Sequence, residues 1–282
     1  MNVAGLLLLA ALSFPALAAE KSAETAEALV RQATEAFKEH KRDEALALAN
    51  QAVTISPTDF DVLFFRGRLL GALRKHDEAI KDFDRVLTLE PKAIAAYQER
   101  AQEHFKAGQA KESLADFDRF LELAPQQKPN SWQRGIACYY ANKFEEGKKQ
   151  FELHQTVNPN DVENAVWHYV CVAKLKGVEQ AKASLIPIKE DSRVPMMEIY
   201  ALFAGKGTAE QVLEAAQKEA LSPEKLRDQL FYAHLYLGLY YEAAGDRERS
   251  REHILKATHE FSMEHYMGDV ARVHKLLRIE KS

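Results

Sequence analysis

The stretches HDEAIKDFDRVLTLEP (residues 76–91) and AKESLADFDRFLELAP (residues 110–125) share the string DFDR, the apolar positions around it and a closing proline, one period apart. Each ends in a proline, and those two prolines belong to a longer series, Pro57, Pro91, Pro125 and Pro159, with that one spacing. Small residues recur with it: Ala33, Gly67, Ala101 and Gly135 precede the four prolines at one constant offset, and Ala45, Ala79, Ser113 and Gly147 precede them at a second, shorter one. Two small positions per period let paired helices approach closely. An aromatic side chain fills a third fixed slot, nearer the proline, in three periods, as Phe83, Phe117 and Phe151, where a ring can plug between the two helices; Ala49 takes that slot in the first. Self-similarity at a fixed period of roughly 20 to 50 residues marks an array of small units that stack to bury what none can bury alone.

This periodicity resembles that of the tetratricopeptide repeat, whose unit is about 34 residues long. The resemblance implies an all-α solenoid of helical hairpins. The units predicted from it run over residues 24–57, 58–91, 92–125 and 126–159. The hairpin turns fall at the polar strings HKRDE, RKHDE, AGQAKE and ANKFEE, each followed by good helix formers. Residues 160–220 read as a degenerate middle. Trp167, Tyr169 and Ala181 hold plausible slots, but Pro187 ends the second helix early, and residues 192–220 form a shorter, irregular pair. A clean unit returns over 224–260, where LYLGLYYEAAGD carries Leu237, Gly238, Tyr241 and Gly245 in register. The amphipathic tail, 263–279, puts Val270, Val273, Leu276 and Leu277 on one stripe and is expected to cap the exposed end of the stack. One elongated domain over residues 19–282 is expected.

Composition suits that reading: 46% hydrophobic, 28% charged, with 12 glycines and 9 prolines, as in a folded helical protein. A formal charge of -4 gives no electrostatic case for nucleic acid. Residues 1–18 hold the apolar run LLLLAAL, Pro15, and Ala16-Leu17-Ala18 at the place of a small-x-small cleavage site, and so resemble a secretory signal peptide. The expectation is a protein released into the periplasm or secreted, with no membrane anchor. The two cysteines, Cys138 and Cys171, read as small buried thiols between helices, although an oxidising compartment would permit a bridge.

A second series with the same period, Arg66, Arg100 and Arg134, sits where leucine is usual in such repeats. Asp82 and Asp116 follow the first two at one constant offset, inside the repeated string DFDR, a spacing that folds back across a hairpin. Two internal bridges, Arg66 with Asp82 and Arg100 with Asp116, are therefore predicted, because an unpaired buried charge costs several kcal/mol or more. Arg134 has Gln150 at that offset and is expected to be the freer cation.

No catalytic or metal constellation emerges from the spacing of the ten histidines, and no CxxC, GxSxG or phosphate-binding glycine loop occurs. Neither cofactor nor metal is expected, and the chain reads as a binding protein, not an enzyme. First helices line the concave face of such arrays. The registers there read Phe64, Gln98 and Trp132; Arg68, Gln102 and Ile136; then Phe105 and Tyr139. Aromatic rings beside an arginine suit a partner protein or peptide. The carboxylate clamp of chaperone-tail binders is absent.

Longer strings narrow the resemblance. RGIACYY (134–140), NPND followed by Trp167 and Tyr169 with QAK (180–182), LYLGLYYEAAGD, and Glu264-His265 occur in an order similar to that of the bacterial NlpI family of envelope repeat lipoproteins. The resemblance implies a periplasmic adaptor that docks cell-wall hydrolases and a protease, commonly as a homodimer. The lipid-attachment cysteine of that family is missing. Alternative readings are an assembly factor of an outer-membrane or secretion complex, and an enzyme or small-ligand binder using the aromatic groove.

Overall fold

The computed structural model describes residues 14–218 and 222–280. Among them every regular element is helical. The apolar run of the expected leader lies outside the described residues. The chain divides into two compact units, one ending at Ala96 and the other starting at Tyr97. A repeat chain has no central core to make it a single body, since each hairpin depends on its neighbours.

The first unit holds α1 (Phe14–Lys38), α2 (Arg42–Ile55), α3 (Phe60–Ala72) and α4 (His76–Leu89). Helix α1 begins well ahead of the expected start at 24 and crosses Ala16-Leu17-Ala18. Alanine, leucine, glutamate and lysine favour it, and Pro15 falls in the first turn, where no helical N–H is lost. Ala33, Ala45 and Ala49 are fully buried, so α1 and α2 meet through small residues and no ring is needed between them. In the next hairpin the ring does the filling: a Cβ on Gly67 would come within 2.9 Å of the Phe83 ring. Asp59 caps α3 by accepting from the Val62 N–H at 3.1 Å.

The second unit is entered along α5 (Ile94–Lys106) and continues through α6 (Ala110–Leu123), a 3-10 turn (Pro125–Asn130), α7 (Trp132–Tyr140) and α8 (Phe144–His154). Then come α9 (Val162–Lys176) and the short α10 (Val178–Ala183), which stops ahead of Pro187. The irregular pair is α11 (Met196–Phe203) and α12 (Ala209–Lys218), followed by the long hairpin α13 (Pro223–Ala243) and α14 (Arg247–His259). A glycine again faces a large side chain here, Gly135 against Phe151 and Gly238 against Ile254, each pair at the same offset as Gly67 and Phe83. Trp167, Tyr139, Tyr169, Tyr236, Phe203 and Phe231 form the heart of the core, all but inaccessible.

The hairpin turns are also periodic. His40, Arg74, Gly108 and Asn142, in one register of successive repeats, all have φ between 60° and 77°. Each closes the first helix with a pair of backbone bonds, as His40 N–H to Phe37 O and Lys41 N–H to Ala36 O, the left-handed termination that returns the chain antiparallel.

The tail departs from its expected role. Helix α15 (Tyr266–His274) and a π-helical turn (Lys275–Glu280) do not simply close the end of the stack. They lie against α5 and α7. Tyr266 stacks on Phe105, His274 meets Tyr140, and Leu276 Cδ2 sits where a Cβ on Gly108 would be only 2.7 Å away. The aromatic registers of α5 and α7 would expose more apolar surface than water tolerates, and the Val270, Val273, Leu276 and Leu277 stripe covers it. The approach is sharp: a Cβ on Gly268 would come within 2.0 Å of the Met263 carbonyl oxygen.

Candidate partner-binding groove

The arginine register is a set of two-sided contacts. Arg66 donates from Nε and Nη2 to the two oxygens of Asp82, both at 2.7 Å, and from Nη1 to Asn50 Oδ1 at 3.1 Å. The hydrogen bond to Asp82 is the main reason the Arg66 guanidinium is held even more firmly protonated than usual. Arg100 repeats the fork on Asp116 at 2.8 and 2.6 Å. With Asp82 only 2% exposed, the parallel N–H donors satisfy a carboxylate that water cannot reach. Arg134 is not the free cation expected. Its Nε donates to Asp118 Oδ1 at 2.6 Å, and Nη1 reaches Gln150 Oε1 at 3.4 Å. Asp118 is the second aspartate of DFDR and precedes Arg134, so the missing acceptor after the arginine is replaced by one before it.

The expected groove residues divide sharply. In the first unit Arg68 is exposed and Phe64 half-buried, stacked on Phe60 at 5.7 Å and edge-on to Phe83 at 5.6 Å. In the second, Gln98, Gln102 and Trp132 are half-buried. Phe105, Ile136 and Tyr139 are wholly buried, which removes them from the partner-facing set. The tail is the reason for Phe105 and part of the reason for Tyr139, over whose ring the Arg278 guanidinium stands at 5.7 Å. Arg278 also donates to Asn142 Oδ1 at 3.1 Å.

Glu242, on α13, anchors this packing. It accepts from Tyr139 Oη at 2.5 Å and from Lys174 Nζ at 2.9 Å. Burial pushes its carboxyl up, but the charge of surrounding bases and these hydrogen bonds outweigh it, so the group stays below the usual glutamate range. His274 is 4.0 Å from the same carboxylate yet pushed down to about 4 by burial, so at neutral pH Lys174, with Arg278 at 3.8 Å, supplies the positive charge. Burial also raises both thiols, Cys138 to about 12, and leaves Cys138 and Cys171 free and protonated.

Beside Trp132 the second unit keeps a cavity of about 390 Å³, walled by α7, α8 and α9 on one side and by His265, Tyr266 and Met267 on the other. Trp132 meets Tyr266 edge-on at 5.1 Å, and Trp167 also lines the cavity. Sequence reasoning singled out Trp132 for this surface but not Trp167 or Tyr266. Trp167 carried only a repeat-slot reading, and Tyr266 is brought here by the tail, whose docking partner has no local signal.

Residues 60–92, which span α3 and α4, match the family described as tetratricopeptide repeat. The chain is similar in structure to a tetratricopeptide repeat protein from Parabacteroides merdae, at 16% identity over 89% of this chain and 98% of that one, with a TM-score of 0.57. It is also similar to the MamA protein, at 13% identity over 71% of this chain and 99% of that one, with a TM-score of 0.54. The fold is the tetratricopeptide-repeat fold. At such identities the likeness establishes architecture and says nothing of partners. Repeat position is nonetheless secure, and in it Trp132 opens the first helix of its hairpin.

Proposed function

We propose that this protein is an exported scaffold that acts by binding protein partners, in the manner of an envelope adaptor of the NlpI type, and that it acts by binding and not by turnover. The observation that carries the reading is Trp132, a half-buried ring at the edge of a cavity in an array of paired helices. Large aromatic residues beside a preformed hollow are the usual anchors of a protein interface. Export is supported by the apolar run and the Ala16-Leu17-Ala18 string.

The test is retention of an envelope partner on immobilised full-length protein. Trp132→Ala is expected to weaken capture by at least about 2 kcal/mol, the level of an interface hot spot. Lys149→Ala, at a side chain 68% exposed, is expected to leave capture intact. Lys148 is a poorer control, because it is only 21% exposed and held by Glu145 and Glu152. Equal capture by parent and Trp132→Ala, with helicity unchanged, would move the binding surface elsewhere. Intact Met1 on protein recovered from the cytoplasm would end the export reading.

A further inference from the structure

The cavity beside Trp132, at about 390 Å³, falls in the range of roughly 300–1,000 Å³ usual for ligand pockets, and its lining joins aromatic surface to carboxylates. Trp132, Trp167 and Tyr266 supply the first, Asp161 and Glu163 the second; among the described residues no lysine or arginine lines the space. Neither carboxylate is sealed off, since the Asp161 and Glu163 side chains keep 16% and 15% of their surface open. Burial holds the His265 ring below the usual histidine range, so it adds no charge at neutral pH.

The charge here does not balance. Arg193 pairs with Asp161 at 2.7 Å, Glu163 at 2.5 Å and Asp191 at 2.6 Å, and among the described residues no other base pairs with any of the three. Three carboxylates thus share one guanidinium. The first turn of α9 helps, through the Val162 N–H to Asp191 at 3.3 Å and the Glu163 N–H to Asp161 at 3.1 Å. A helix N-terminus carries the equivalent of only about half a unit charge, so negative charge stays in excess. Its effect is felt at Glu163, whose carboxyl burial pushes up although the Tyr236 hydroxyl and Arg193 oppose the shift. A cation brought to the cavity would meet that excess and the electron-rich faces of the aromatic lining together. Of the basic side chains, arginine suits such a place better than lysine, because its planar guanidinium lies flat on rings and gives up water more readily.

We infer that this cavity is the docking place of an arginine side chain presented by a partner protein. The inference deepens the partner-binding reading and rests on it for the source of the cation. Both tryptophans of the chain, Trp132 and Trp167, line the cavity, so tryptophan emission reports on this place. Full-length protein is titrated with N-acetylargininamide and, separately, with N-acetylcitrullinamide, which has nearly the same shape and no charge, at an ionic strength held constant with sodium chloride. A saturable emission change is expected with the first, at an affinity about tenfold or more above the second, the least that close charge pairs at protein interfaces contribute. Asp161→Asn keeps a residue that caps α9 equally well and removes one charge; it should weaken the arginine probe by about threefold or more and leave the citrulline probe unchanged.

If Asp161→Asn loses helicity, Glu163→Gln serves in its place, since the amide keeps an acceptor for Arg193, and the same selective loss is expected. No saturable change with the parent protein, equal affinity for the two probes, or a preference undiminished in the folded variant would each overturn the inference. A short peptide with an internal arginine should bind more tightly than the amide; equal affinity would overturn the assignment of the cation to a partner chain. Probe binding without any retained partner would sink the scaffold reading and leave a cation site standing, whereas a retained partner without probe binding would do the reverse.

Discussion

Arg100 and Arg134 occupy one register of successive hairpins, yet they should respond differently to truncation. The acceptor of Arg100, Asp116, is 8% exposed, while that of Arg134, Asp118, is 48% exposed. Removing Arg100 strands a carboxylate that water cannot solvate, and Arg100→Ala is expected to cost roughly 3–5 kcal/mol. Arg134→Ala leaves Asp118 in solvent and should cost about 1 kcal/mol or less. Urea midpoints decide, and equal shifts would show that packing of the arginine stem, not its charge, sets the cost. Histidine burial adds a pH dependence. His234, which meets His253 with 2.8 Å between their Nδ1 atoms, and His274 are both pushed down to about 4 by burial. Between that value and the ordinary 6.5 the unfolded chain binds more protons than the folded one, so stability falls as pH drops through this window and is fully present above it. Urea midpoints at pH 7.5 and about 5 should differ by an amount that His274→Gln reduces.

At the scale of elements, most of the architecture could be read from the chain because the determinants are local and periodic. Gly67 with Phe83 and Gly135 with Phe151 announce close helix pairs, and the polar strings announce turns. The turn conformation is legible only in part. Gly108 suits φ above zero, whereas His40 and Arg74 adopt it against their preference. A side chain there costs roughly 1–2 kcal/mol, partly offset by the unfolded-state freedom that glycine brings. His40→Gly is therefore expected to raise stability by up to about 1 kcal/mol, read from thermal unfolding, and a loss would mean that the side chain makes a compensating contact. The groove was less legible than the hairpins. Registers place Phe105, Ile136 and Tyr139 on the inward face, but what covers that face is decided by a tail far along the chain, and amphipathicity names a stripe without naming its partner. Val273, 1% exposed on α15, tests this arrangement. Val273→Asp should free the tail, shift tryptophan emission to the red as Trp132 loses Tyr266, and leave far-ultraviolet ellipticity nearly unchanged. Unchanged emission would mean that Tyr266 stays in place without the valine.

For the whole molecule the consequence of repeat construction is that stability has no single centre. Each hairpin is supported by neighbours, and the contact network itself divides at Ala96 and Tyr97. Trp132 and Trp167 both belong to the later unit, so their emission follows that unit, whereas far-ultraviolet ellipticity follows every helix. All-or-none unfolding requires coincident transitions by different probes. We expect them not to coincide. The earlier unit lacks the aromatic core of the later one: Ala33, Ala45 and Ala49 supply its first helix pair, and small side chains bury less apolar area than the tyrosines and tryptophan packed around Tyr139 and Trp167. Ellipticity should therefore begin to fall at lower urea than tryptophan emission shifts. Gly67→Val, which would drive a side chain into the Phe83 ring, should widen the gap by lowering the first transition and not the second. Superimposable curves for the parent protein, and a common shift in the variant, would show that the array unfolds as one cooperative body.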